Sequence, residues 1–193
     1  MRHIGNMTQN NQNKTLSGNK VAMLAANGFD QHDMIESQKA LIAAGANVRI
    51  VSSDNGLVNG WEGKAWGHHF AVDNPLASAL AADYDMLVIP AGNRSFDKLK
   101  LTAHTKRFIN GFMAANKPVA VFGDALNLLF FSDHIRGRTV NGADTMKDMI
   151  AQTGGTWSDS TPCIDGNLMT GAIDTTEART AFVVALLEHI ANA

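Results

Sequence analysis

Three short, uniformly apolar runs constrain this chain more than anything else in it: Val21-Ala22-Met23-Leu24, Met86-Leu87-Val88-Ile89 and Val119-Ala120-Val121-Phe122. A strand with one wet face alternates apolar and polar residues. A strand that is apolar at every position needs cover on both faces, which is the condition of a parallel sheet between two layers of helices. The intervening segments supply those helices. After Asn27-Gly28 ends the first run, Met34, Ile35, Gln38, Leu41 and Ile42 recur at helical spacing, and Gly45 supplies a stop. Asn47 to Ser52 is a second strand, and strand, helix and strand together make a right-handed crossover unit.

The same reading carries to the end of the chain. Residues 57–72, preceded by Gly56, hold Gly60, Gly63 and Gly67 around Trp61 and Trp66, which predicts a hairpin excursion rather than a core helix. Pro75 to Ala82 reads as a short helix opened by proline. Met86 to Pro90 is the third strand, broken by Ala91-Gly92-Asn93. Thr102 to Asn116 is helical, with Phe108, Ile109, Phe112 and Met113 on one face. Val119 to Phe122 is the fourth strand. Gly123-Asp124 ends it, and Ala125 to Phe131 follows as a short apolar helix with Asp124 suited to its N-cap. Met146 to Gln152 reads as a further helix. Asp165-Gly166-Asn167 between Cys163-Ile164 and Leu168-Met169-Thr170 signals a hairpin, and a helix runs from about Thr175 through Ile190. The expected fold is α/β: a flavodoxin-like parallel sheet with helices on both faces plus a small hairpin excursion. Residues 20–193 are read as one domain. Residues 1–19, rich in Asn, Gln, Thr and Ser, are read as a disordered tail without a secretory signal.

Ligands of such sheets bind at the carboxyl ends of the strands. Those ends place Asn27, Gly92, Asn93, Gly123 and Asp124 around one candidate crevice, with Asp33 nearby. A net charge of −2 gives no attraction to nucleic acid or to an anionic membrane. One cysteine, Cys163, excludes an intramolecular disulfide and suits a reducing cytoplasm. No run reaches the length of a membrane span. Neither GxGxxG nor a Walker A sequence is present, so no cofactor is expected. His68 and His69 are adjacent, and neighbours on a strand point to opposite faces, which is poor geometry for one metal. His32 beside Asp33 is similarly thin, so no metal is expected. Ser132-Asp133-His134 lacks a G-x-S-x-G elbow and reads as a helix-to-loop corner. Trp61, Trp66 and Phe70 read equally well as an interface and as an anchor for their own excursion.

Four segments in order carry a family likeness. KVAMLAANGFDQHDMIESQKALIAAGANVRIVS, LVIPAGN, KPVAVFGDALNLL and DGNLMTG resemble the opening unit, third strand, nucleophile elbow and late hairpin of the ThiJ/PfpI superfamily, whose fold is class I glutamine amidotransferase-like. Catalytic members carry a cysteine at the elbow, usually followed by histidine. The matching positions here are Gly123 and Asp124. The family's acidic partner falls at Asp33, with Asp30 as the other candidate. VIPAGN with KPVAVFGDA resembles most closely the C-terminal domain of large-subunit catalases, which also lacks the nucleophile. That likeness implies a non-enzymatic interaction or chaperone-like role in a homodimer. The alternative is a divergent hydrolase, amidase or glyoxalase-like enzyme using Asp33, Asp124, Asn93 and Cys163. Small-molecule binding without chemistry is a third reading, with the ligand unnamed.

Overall fold

The computed structural model describes residues 15–193. The elements run β1 (Lys20–Leu24), β2 (Phe29–Asp30), α1 (Gln31–Ala43), β3 (Asn47–Ser52), β4 (Leu57–Trp61), β5 (Trp66–Ala71), β6 (Asn74–Pro75) and β7 (Met86–Ile89). They continue with α2 (Asn93–Leu99), α3 (Ala103–Ala114), β8 (Val119–Phe122), α4 (Asn127–Phe131), β9 (Thr139–Val140) and α5 (Lys147–Gln152). The last are β10 (Thr156–Trp157), β11 (Cys163–Asp165), β12 (Leu168–Gly171) and α6 (Thr176–Ala191).

The main sheet has the order β11-β12-β8-β7-β1-β3-β6 and is parallel except for β11, which pairs antiparallel with β12. The expected flavodoxin-like sheet is therefore present, with its chain order reversing between β1 and β7. Alternate residues of each strand feed opposite layers. Ala22, Leu24, Leu87, Ile89, Val119 and Val121 pack with Phe108, Ile109 and Phe112 of α3. Val21, Met23, Met86, Val88, Ala120 and Phe122 pack on the other side with Met34 and Leu41 of α1 and with Phe182 and Leu186 of α6. Each such fully buried Val, Leu, Ile, Met or Phe side chain contributes about 1.5–3 kcal/mol by leaving water. The excursion is a small separate sheet, β2-β4-β5, held on the body by Phe29 stacking edge-on against Phe70 at 5.3 Å.

Several local expectations need correction. Pro75 to Ala82 is not a helix: β6 passes into a turn and then a single 3-10 turn at Ala81–Asp83. Pro75 belongs to β6, and Asp73 holds the approach by accepting the Ile50 N–H at 2.7 Å. Ala91-Gly92-Asn93 does end β7, but it also begins α2, with Gly92 as its N-cap. Ile42 is exposed, and buried Ser37 takes part in the inner stripe of α1 instead. Asp124 caps no helix; Gly123–Leu126 forms a 3-10 turn leading into α4, with no side-chain cap. Leu16, expected in the tail, is packed instead. Leu16 is 1% exposed and its N–H bonds the Ala44 carbonyl, so packing starts before Lys20. The part of that expectation covering residues 1–14 lies outside the described residues.

Gly92 shows how tightly the loops are threaded. Its φ is +135°, and a Cβ there would stand 2.6 Å from the Gly28 carbonyl oxygen and 2.9 Å from Phe29 Cα, both backbone atoms that cannot step aside. Gly56 also has a positive φ, +74°, but faces open space. Denaturant unfolding of the two alanine variants should separate these causes. Gly56→Ala should lose about 1–2 kcal/mol through backbone strain alone, and Gly92→Ala should lose more than about 4 kcal/mol or fail to fold.

Candidate functional site

The candidate site is assembled from the loops after β1, β7 and β8 and the first turns of α1 and α6. Its organising group is Asp33, 1% exposed. Asp33 Oδ2 accepts the Ala91 N–H at 3.0 Å, and Oδ1 accepts Arg179 Nε–H at 2.8 Å. Asp30 caps α1 by accepting the Asp33 N–H at 2.9 Å, and its second oxygen lies 3.7 Å from the Arg179 guanidinium. The Asp30 N–H bonds the Ala91 carbonyl at 2.7 Å. The next peptide is held as well: the Gly92 N–H donates to Asp124 Oδ1 at 2.7 Å. Both peptide groups flanking Ala91 are thus tied by carboxylate side chains. Ser95 Oγ accepts the Ala26 N–H at 2.9 Å and joins α2 to the end of β1.

Burial dominates the electrostatics. It pushes the Asp33 carboxyl up to about 7, with the neighbouring Asp30 charge adding to the rise, against the opposing pull of Arg179 and the Ala91 N–H. Asp124 is also raised, by burial first and by Asp30 last, against its bond from Gly92.

Gly123, where the sequence likeness puts the elbow, has φ +49°. A Cβ built there would meet only Ala91 Cβ, at 3.5 Å, an ordinary contact. The turn after β8 is therefore left-handed and has room for a side chain. Asn93 is exposed on the first turn of α2. Asn27 is used structurally: its N–H bonds Asp54 at 2.9 Å and its Oδ1 accepts the Asn59 N–H at 2.7 Å, which pins the excursion to β1.

Cys163 is elsewhere. It is 5% exposed on β11, opposite Thr170 of β12, which in turn faces Val121 of β8. Two strand spacings, about 10 Å, separate it from the strand that ends in the elbow, and its thiol approaches the Thr139 carbonyl at 3.5 Å. Ser132, Asp133 and His134 each turn to a different partner: the Leu128 carbonyl, Lys106 and Asn110. His68 and His69 are both exposed on β5. Among the described residues, no three His, Cys, Asp or Glu side chains converge as a metal-ligand set. No helix among those residues is long and apolar enough to cross a membrane.

Sequence reading missed Arg179 and Ser95. Arg179 lies 146 residues from Asp33, beyond the reach of any local spacing rule. Its only signal is that it is the one Lys or Arg of the last helix, near the helix start.

The raised carboxyl has a measurable consequence. A carboxyl favoured in its protonated form by the fold stabilises the fold fully below its unfolded value of about 4, and that contribution is lost as pH rises through about 7. The full amplitude is on the order of 4 kcal/mol. Thermal unfolding between pH 4 and 7.5 should therefore show stability falling with pH, and Asp33→Asn should flatten much of that slope while leaving the smaller part due to Asp124. An unchanged slope would show that Asp33 is already ionised throughout.

Comparison with known proteins agrees with this geometry. The model of the DJ-1/PfpI family matches residues 19–189. Protein DJ-1 homolog D of Arabidopsis thaliana is 34% identical over 110 residues, covering 55% of this chain and 28% of that protein. A Pyrococcus horikoshii protein named as a deglycase is 26% identical over 154 residues, covering 80% of this chain and 90% of its own. Among solved structures, a two-domain protein of Anabaena variabilis with DJ-1/ThiJ/PfpI-like and ferritin-like domains superposes with a TM-score of 0.80 at 26% identity, over 89% of this chain and 48% of that one. This chain thus spans under a third of the Arabidopsis relative and about half of the Anabaena chain. It belongs to the DJ-1/PfpI family.

Proposed function

We propose that this protein is a member of its family without thiol chemistry, acting through binding or assembly rather than turnover. The observation that carries this reading is Gly123 at the elbow. Thiolate attack needs a sulfur on that turn, and the remaining crevice groups are engaged in holding backbone. Asp33 serves Ala91 and Arg179, and Asp124 serves Gly92. Cys163, the chain's one thiol, is buried two strands away from β8. A chaperone-like role in a cytoplasmic homodimer, as for a free-standing relative of the catalase C-terminal domain, is the form of this reading that the sequence likeness favours.

A second reading has two observations behind it. The Pyrococcus relative is named as a deglycase, and the raised Asp33 and Asp124 carboxyls have the character of acid–base groups. On that reading this chain is a divergent hydrolase or glyoxalase-like enzyme whose chemistry passes through carboxylates.

Incubation with methylglyoxal and a panel of chromogenic amides and esters separates the two, with a cysteine-bearing relative as positive control. The expected rate is the buffer rate, unchanged by Cys163→Ser or Asp124→Asn. Turnover that either substitution abolishes would overturn the non-enzymatic reading. Gly123→Cys is expected to fold, since the added Cβ has room, with a loss of about 1–2 kcal/mol from the left-handed φ. That loss is read from denaturant midpoints.

A further inference from the structure

The outer face of the β4–β5 hairpin departs from the alternation of a ribbon with one wet side. Val58 is fully buried and Phe70 packs on Phe29, so one face of the ribbon is spoken for. The opposite face should be polar. It instead presents Leu57, 55% exposed, and Trp66, 51% exposed. These two side chains wall a groove of about 510 Å³ together with Asn27, Asn59, His69 and Lys98. That volume suits a small organic ligand, for which pockets of roughly 300–1,000 Å³ are usual.

The groove's position adds a second reason. Asn27 follows β1, and Lys98 lies on the helix that follows β7. β1 and β7 are the neighbours between which the chain order reverses, and ligands of open parallel sheets bind outside the strand ends at that reversal. The lining also holds a cation that is only loosely ion-paired, with Asp54. Lys98 is the lining's one fixed charge. Its side chain is 50% exposed, and the Asp54 oxygen beside it is 3.8 Å away, too long for a hydrogen bond. The other Asp54 oxygen is committed to the Asn27 N–H.

We propose that this groove binds a small amphipathic carboxylate, its apolar body against Trp66 and Leu57 and its carboxylate on Lys98. Such a site is separate from the elbow and does not depend on which residue stands at Gly123.

The test uses the full chain, titrated by calorimetry with phenylbutyrate, phenylbutylamine and phenylbutanol, while sedimentation velocity follows the oligomeric state. Phenylbutyrate should saturate with a Kd below about 10 mM. Lys98→Gln should weaken it about five- to tenfold and leave phenylbutanol unchanged. Leu57→Asn should weaken both. Absence of saturation, equal binding of the amine, or indifference to Lys98→Gln would each overturn the proposal. So would a dimer that Leu57→Asn dissociates, because the occupant of the groove would then be a second copy of this chain.

Discussion

One buried carboxylate organises the strand ends of this protein. Asp33 is removed from water, which alone is strongly unfavourable for a charged group. The Arg179 guanidinium and the Ala91 N–H, one on each carboxylate oxygen, offset part of that cost, and the rise of the carboxyl to about 7 is the part left over. The arrangement ties the first turn of α1 to the first turn of α6 and to the loop leaving β7. It thereby closes the sheet's first and last helices over the same face. Removing either partner would leave the other side of the bond buried and unpaired, which is why such groups are far more costly to break than to have formed.

Around that centre the chain passes very close to itself. The Ala91–Gly92 segment is fixed through its amide groups by Asp33 and Asp124 and through its carbonyl by Asp30, while Gly92 crosses the Gly28–Phe29 backbone at a distance that admits no Cβ. Asp124 therefore has a structural role that its sequence position disguises. A carboxylate at the start of a helix satisfies an N-cap preference, yet here the first turn after β8 is 3-10 and the side chain reaches 32 residues back to Gly92.

That contrast shows what could be read from sequence and what could not. β1, β7 and β8 were legible because a run such as Val119 to Phe122 is apolar at every position, and burial on both faces leaves no other assignment. The hairpin was legible because Asp165-Gly166-Asn167 encodes a backbone conformation locally; Gly166 takes φ +56°. α2 was not legible. Asn93–Leu99 is short and mostly polar, and the Gly92 that looks like a breaker is its N-cap. Pro75 misled for the opposite reason, because β6 holds only an edge pairing with β3, where a missing N–H is tolerated. Asp33 was picked out as an acidic group, but Arg179 could not be, since only the closed sheet brings the two together.

The elbow raises the remaining physical question: why a strained turn persists where no nucleophile uses it. Left-handed φ at Gly123 costs a glycine little, so the strain that a side chain would carry is absent. What the turn still does is aim Asp124 back toward the loop after β7 and deliver the chain into Ala125 and Leu126, both buried in the layer that α3 completes. The same geometry that elsewhere presents a reactive atom here supplies an acceptor for the Gly92 N–H. A site whose acids are held by backbone amides and by Arg179 is a rigid surface before it is a reactive one, and rigidity at the strand ends is what a binding site beside β1 and β7 requires.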